Sequence, residues 1–362
     1  MKCLVAIDSF KGCLTSIEAN AAVAAGIRTK MPAAEVVQVA VSDGGEGWLE
    51  AFRRAIGGKE VEIVVRDPLM RPVKARYLVS DDTAIIEMAQ ASGLTLLAPE
   101  ERNPLLATSY GTGQLVADAV RQGCRHIIVG LGGSATSDCG IGMLHALIDS
   151  FGSYGRWDDI REFDGISFTI ATDVVNPLCG ENGAAHVFAP QKGATPGMVQ
   201  RLDERARLFA DLSARHFGFD RSDMPGAGAA GGLGYAFMQY LGGDNQENVK
   251  CRSGIDLLLD AVGFNRLLSG ARLVVTGEGS ADRQTLMGKV PFGILKRAKA
   301  QGTSVCLLAG RIADRQSLLD AGFEQVACIN PEGLSLVEAM KPEVAKANIA
   351  AAAMAAITLF PQ

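Results

Sequence analysis

Short apolar runs closed by polar, glycine-rich loops recur along the chain, and a helical apolar period follows several of them. Residues 3–7 read as a buried strand that ends in Asp8-Ser9-Phe10-Lys11-Gly12. Thr15 with Glu18 then makes a capping-box start for a helix through Ile27. The pattern repeats: 35–41 reads as a strand, Ser42-Asp43-Gly44-Gly45-Glu46-Gly47 as its loop, and 48–56 as a helix. Two strand–loop–helix units in succession predict a parallel sheet with crossover helices. From Glu60 the texture changes. Residues 61–65, 73–79 and 83–88 are β-rich and joined by short turns, which predicts antiparallel pairing.

The apolar run 126–129 predicts another strand. It leads into Gly130-Leu131-Gly132-Gly133-Ser134-Ala135-Thr136-Ser137-Asp138-Cys139-Gly140, with a helical pattern after it. Backbone N–H groups at such a strand-to-helix turn can gather around an anion, and glycines let it approach. The bland alternative is a tight turn with Asp138 as helix cap; Asp138 can otherwise hold a metal ion or a proton. Residues 168–171 predict a strand that delivers Asp173, a general base or metal ligand, or simply a turn residue beside Asn176-Pro177. Residues 184–189 form a further apolar run that ends in Pro190-Gln191-Lys192-Gly193, a turn carrying one cation. Thr195-Pro196 then starts a long amphipathic helix to about His216. Gly226, Gly228 and Gly231 spell G-x-G-x-x-G, but no strand precedes them, so dinucleotide binding is rejected and an anion loop is kept.

Residues 273–276 predict a strand that ends in Gly277-Glu278-Gly279-Ser280-Ala281-Asp282, with Lys289 downstream. Further strands at 304–309 and 325–329 alternate with helices. These last units resemble the first ones. The expectation is an α/β protein of two domains: a parallel-sheet domain built from both chain ends (1–77 and 285–362) and an inserted mixed α/β domain (78–284).

Composition narrows the function classes. The chain has 362 residues, 42 of them glycine, a net charge of −5 and no basic block, which excludes nucleic acid as the expected partner. Eight scattered cysteines lack C-x-x-C spacing, so free thiols in a reducing compartment are expected. No signal-peptide pattern opens the sequence. The apolar run 349–360 is too short and Ala-rich for a membrane span. The expected location is the cytoplasm.

Taken in order, Asp8-Ser9-Phe10-Lys11-Gly12, Asp43-Gly44-Gly45-Glu46-Gly47, Gly132-Gly133-Ser134-Ala135-Thr136, Ala171-Thr172-Asp173-Val174, Asn176-Pro177-Leu178-Cys179-Gly180, the 226–234 glycine run and Gln284-Thr285-Leu286-Met287-Gly288-Lys289 resemble the bacterial glycerate kinase family over nearly the whole chain. Ser137, Cys139 and Ala281 stand where that family usually has Asn, Gly and Leu. The resemblance implies a flavodoxin-like fold for the domain made by both ends. It implies phosphorylation of D-glycerate by ATP with Mg²⁺, with 2-phosphoglycerate the favoured product, in a monomer or homodimer. No Walker loop is present, so nucleotide phosphates are assigned to Gly132, Gly133, Ser134 and Thr136, with Gly228 and Gly231 in support. Asp8, Ser9 and Lys11 are assigned to glycerate. Lys11, Asp173 and Asp282 are the expected catalytic residues, Asp173 as base. Asp43 and Glu278 are the expected Mg²⁺ ligands. The competing expectations are a kinase for another small hydroxy acid and a flavodoxin-like non-enzymatic binding protein.

Overall fold

The structure, a computed structural model, describes residues 1–42, 44–45, 47–243 and 246–358. Among these the strands are β1 (Lys2–Ile7), β2 (Glu35–Gln38), β3 (Lys59–Arg66), β4 (Pro72–Ser80), β5 (Thr83–Glu87), β6 (His126–Gly130), β7 (Ser167–Ala171), β8 (Val249–Arg252), β9 (Ala271–Ala281), β10 (Ser304–Ile312) and β11 (Gln325–Cys328). They form two sheets, ordered β11-β10-β9-β1-β2 and β3-β4-β5-β6-β7-β8. The chain divides into two compact units: Met1–Asp43, Glu50–Ile56 and Gly254–Gln362 make the first, and Gly44–Leu49 with Gly57–Ser253 make the second. Both chain ends therefore build one α/β unit around a middle that builds another. The divisions fall at other points than the expected 77/78 and 284/285. β3 and β4 bond into the second sheet, while residues 254–284 stay with the first because β9 pairs β1.

The first sheet is parallel throughout. Its five strands, β2-β1-β9-β10-β11, follow the 2-1-3-4-5 order of a flavodoxin-like sheet. β1 is buried over nearly its whole length and β9 from Leu273 to Glu278, as the central strands of a parallel sheet covered on both faces require. One layer pairs helix Ser16–Lys30 with helix Pro342–Ile357. Gly26 makes that pairing close, because a Cβ there would collide with the Ala350 carbonyl.

The second sheet is mixed: β3-β4-β5 are antiparallel, as the short turns predict, and β5-β6-β7-β8 are parallel. Helices Tyr110–Arg121 and Ile141–Phe151 pack on each other. Gly113 permits this, since a Cβ there would meet the Met143 carbonyl. Trp48 is fully buried in this unit, against Gly130 at the end of β6. Among the described residues, no helix is long and apolar enough to cross a membrane.

One sequence expectation needs correction. The segment Gly277-Glu278-Gly279-Ser280-Ala281 is strand, not loop: Glu278 pairs with Ala309 and Ser280 with Arg311. Gly277 is required there, because a side chain would strike the Leu308 carbonyl. The apolar run at 184–189 forms helix Ala184–Phe188.

Candidate active site

In a sheet of this order, the strand order reverses between β1 and β9, and ligands bind beyond the carboxyl ends of the strands at that reversal. The first unit has a cleft of about 450 Å³ there, lined by Asp8, Ser9, Lys11, Glu278, Ser280, Lys289, Arg311 and Asn330, with Cys13, Leu336 and Met340 on its apolar side. Three cations face two carboxylates, a lining suited to a small anion.

The loop that brings Lys11 to the cleft is fixed from below. Asn20, buried on the first helix, accepts the Ile7 N–H at 2.8 Å and donates to the Val39 carbonyl at 2.8 Å. Ser16 donates to the Ile7 carbonyl at 2.6 Å and accepts the Val41 N–H. Asp8 therefore leaves β1 at a fixed point, and its Oδ1 accepts the Ser9 N–H. Phe10 and Leu14 exchange backbone hydrogen bonds at 2.9 Å around Gly12, whose φ is +74°. Lys11 sits exposed at the tip of this tight loop.

Across the cleft, strand alternation puts Glu278, Ser280 and Arg311 on one face of the sheet. Glu278 is buried; its Oε1 accepts the Thr285 hydroxyl at 2.6 Å, and Lys289 Nζ stands 3.8 Å from Oε2. Asp282 lies off this lining. It caps the turn Arg283–Leu286, its Oδ1 accepting the Gln284 N–H at 2.7 Å. Asp43 and Glu46 lie outside the described residues. Among the described residues, no group of three His, Cys, Asp or Glu is arranged to hold a metal.

The remaining site candidates lie in the second unit. Gly132 donates its N–H to the Gly44 carbonyl at 3.3 Å, and a Cβ on Gly132 would come within 2.8 Å of the Gly45 Cα. Its glycine thus serves close packing of two loops. Gly231, at φ +70°, lies against the Thr136 carbonyl, and Gly228 against the Pro177 carbonyl. The three glycine-rich segments pack backbone to backbone, with Gly228 donating to Asn176 and Cys139 to Gly231. Asp138 is the brace of this assembly. Oδ2 accepts the Ser109 N–H, the Ser109 hydroxyl and the Gly142 N–H, while Oδ1 accepts the Gly140 N–H. Asp173 follows β7 by two residues and is half-buried. Its neighbours are pinned, since Thr172 donates to the Arg252 carbonyl and Val174 to the Thr172 hydroxyl.

Beneath the 132–137 loop is a residue that sequence reading placed only as a cation on a turn. Lys192 is 3% exposed. Its ammonium donates to Ser134 Oγ at 2.8 Å and to the Thr136 carbonyl at 2.6 Å. Burial pulls its pKa down to about 7, with Asp138 opposing. Glu87 was likewise legible only as the end of a strand. It is buried and accepts the Leu49 N–H in the first turn of helix Trp48–Ile56.

A family model described as the glycerate kinase family matches residues 3–153 and 157–360. The chain belongs to the glycerate kinase family. It is 39% identical to the glycerate kinase of Bacillus subtilis (strain 168), covering 99% of this chain and all of that one. It is 39% identical to the glycerate 2-kinase of Escherichia coli (strain K12), covering 91% of each. A crystal structure from Salmonella typhimurium LT2, provisionally described as glycerate kinase 2, superposes with a TM-score of 0.79 at 36% identity, covering 99% of this chain and 98% of that one. As a member of the glycerate kinase family, the chain is a phosphotransferase acting on an alcohol group, with ATP implied as donor. That sets aside the non-enzymatic reading of the flavodoxin-like sheet.

Proposed function

We propose that the chain phosphorylates D-glycerate at its 2-hydroxyl, with ATP as donor and Mg²⁺ as the ion that accompanies it. The observation that carries this reading is the cation-lined cleft at the β1/β9 reversal in a member of the glycerate kinase family. Lys11 and Arg311 there suit the glycerate carboxylate or the transferring phosphoryl group; Asp8 and Ser9 suit its hydroxyls. Asp173 is the proposed base that orients the acceptor hydroxyl. The glycine-rich segment with Ser134 and Thr136 is the proposed polyphosphate loop. Asp282, which caps its own turn, is proposed to hold the Glu278–Lys289 segment in place.

Asp8 and Glu278 are hard oxygen donors of the kind Mg²⁺ accepts, and they are the described carboxylates of the cleft. Such an ion, when bound, neutralises charge on the phosphoryl group. The E. coli relative described as glycerate 2-kinase supports the 2-position.

The test is ADP release measured with D-glycerate, L-glycerate and other short hydroxy acids. The reading requires turnover with D-glycerate well above the others and dependence on a divalent ion. Faster turnover on a different hydroxy acid would replace glycerate as the substrate. Asp173→Asn retaining near-full turnover would remove Asp173 as base.

A further inference from the structure

The ammonium of Lys192 is enclosed beneath the 132–137 loop. Pro190 opens the turn Pro190–Lys192, and the Lys192 N–H donates to the Ala189 carbonyl. Gly193 leaves the turn at φ +96°, against the Arg102 carbonyl, where a side chain would collide. The side chain thus starts from a rigid point and ends on the 134–136 segment.

Among the described residues, both acceptors of this ammonium are neutral. Asp138, the charged group acting on it, has its two oxygens taken up by four other donors. Enclosing an ammonium costs several kcal/mol, and neutral acceptors offset that only in part. A purely structural lysine would gain from a directly paired carboxylate, or would be matched by an apolar residue of similar volume. A second observation points the same way. On the same loop, Ser137 Oγ is buried and has no hydrogen-bond partner among the described residues.

We propose that Lys192 is a positioning residue for the nucleotide: its two hydrogen bonds hold the 134–136 segment, and its charge makes the 133–137 loop a seat for the ATP polyphosphate. This rests on ATP being the donor. The incoming anion supplies the counter-charge that the ammonium lacks, so binding favours the protonated form. The near-neutral pKa of the empty loop fits this, since a group half-titrated at pH 7 responds to an arriving anion.

The experiment measures ADP and inorganic tripolyphosphate binding by calorimetry, without glycerate, for wild type, Lys192→Met and Lys192→Arg, alongside Tm. Lys192→Met should weaken both ligands roughly 10- to 100-fold. It should leave the KM for glycerate unchanged and keep or raise Tm, because the buried charge is gone. Lys192→Arg should recover part of the ADP affinity. For the wild type alone, ADP binding at pH 8 in two buffers of different ionisation enthalpy should take up protons. ADP binding to Lys192→Met within twofold of wild type, or no proton uptake by wild type, overturns the proposal. So does a drop in Tm with ADP and glycerate weakened alike, which marks a merely structural lysine. Lys192-dependent tripolyphosphate binding without ADP binding would keep the anion seat and reject the nucleotide. Wild type binding neither ligand rejects both.

Discussion

The Thr285 hydroxyl donates a 2.6 Å hydrogen bond to Glu278, and both side chains are buried. This bond fixes a carboxylate that lines the cleft and faces Lys289. Thr285→Val should therefore do two things. Removing a donor from a buried carboxylate should lower stability by about 1–3 kcal/mol. Releasing Glu278 should also lower kcat/KM, and Thr285→Ser should restore both. Urea denaturation with steady-state kinetics reads the pair of effects. Lost stability with unchanged kcat/KM would take Glu278 out of the reaction.

Lys11 and Arg311 are exposed at the cleft, so truncating them should leave stability within about 0.5 kcal/mol. Lys11→Ala and Arg311→Ala should each raise the KM for glycerate or lower kcat, by roughly 10-fold or more if the contact is charge-assisted. Unchanged kinetics for Lys11→Ala would make it a solvated loop lysine.

Much of this arrangement is legible in the sequence, and the exceptions have physical causes. Runs such as 3–7 and 126–129 announce buried parallel strands, because both faces of such a strand are covered. The carboxyl end of β9 looks like a loop in the sequence because Gly, Glu and Ser are poor strand formers, and no local pattern reveals that the Leu308 carbonyl of the neighbouring strand demands a glycine at 277. β8 begins with one buried residue and continues exposed, so it carries no apolar run. Gly132, Gly228 and Gly231, which the sequence assigns to the nucleotide phosphates, also lack side chains because the loops pack closely there, which no local pattern discloses. Lys192 shows in the sequence as a cation on a turn. Its burial depends on loops far away in the chain, which residue type alone cannot disclose.

Gly231 tests the packing of those loops. At φ +70° and against the Thr136 carbonyl, it tolerates no Cβ. Gly231→Ala should destabilise by more than about 1 kcal/mol, through left-handed strain and the shift of Thr136 that the collision forces. A lowered urea midpoint at unchanged m would register it. An unchanged midpoint would mean that the loops accommodate the methyl.

Burial of Lys192 also predicts a pH dependence of stability. Its pKa in the folded chain is lowered from 10.5 to about 7, by desolvation with Asp138 opposing. Below that pH both states hold the proton and this residue contributes no slope. As pH rises from about 7 toward 10.5, the unfolded chain keeps a proton that the folded chain has shed, so folding stability increases. The slope from one such group approaches about 1.4 kcal/mol per pH unit. Wild type should therefore gain stability relative to Lys192→Met over this window. Parallel curves for the two proteins would show that the ammonium is not desolvated.

The most direct test of the central claim is product assignment. The purified chain is incubated with D-glycerate, ATP and Mg²⁺, and the product is passed to enolase with no phosphoglycerate mutase present. Immediate formation of phosphoenolpyruvate, matching ADP released, is the predicted result and identifies 2-phosphoglycerate. ADP release without phosphoenolpyruvate until mutase is added would place the phosphoryl group on the 3-hydroxyl and contradict the proposed regiochemistry. No ADP release from the folded protein would contradict the proposed reaction itself.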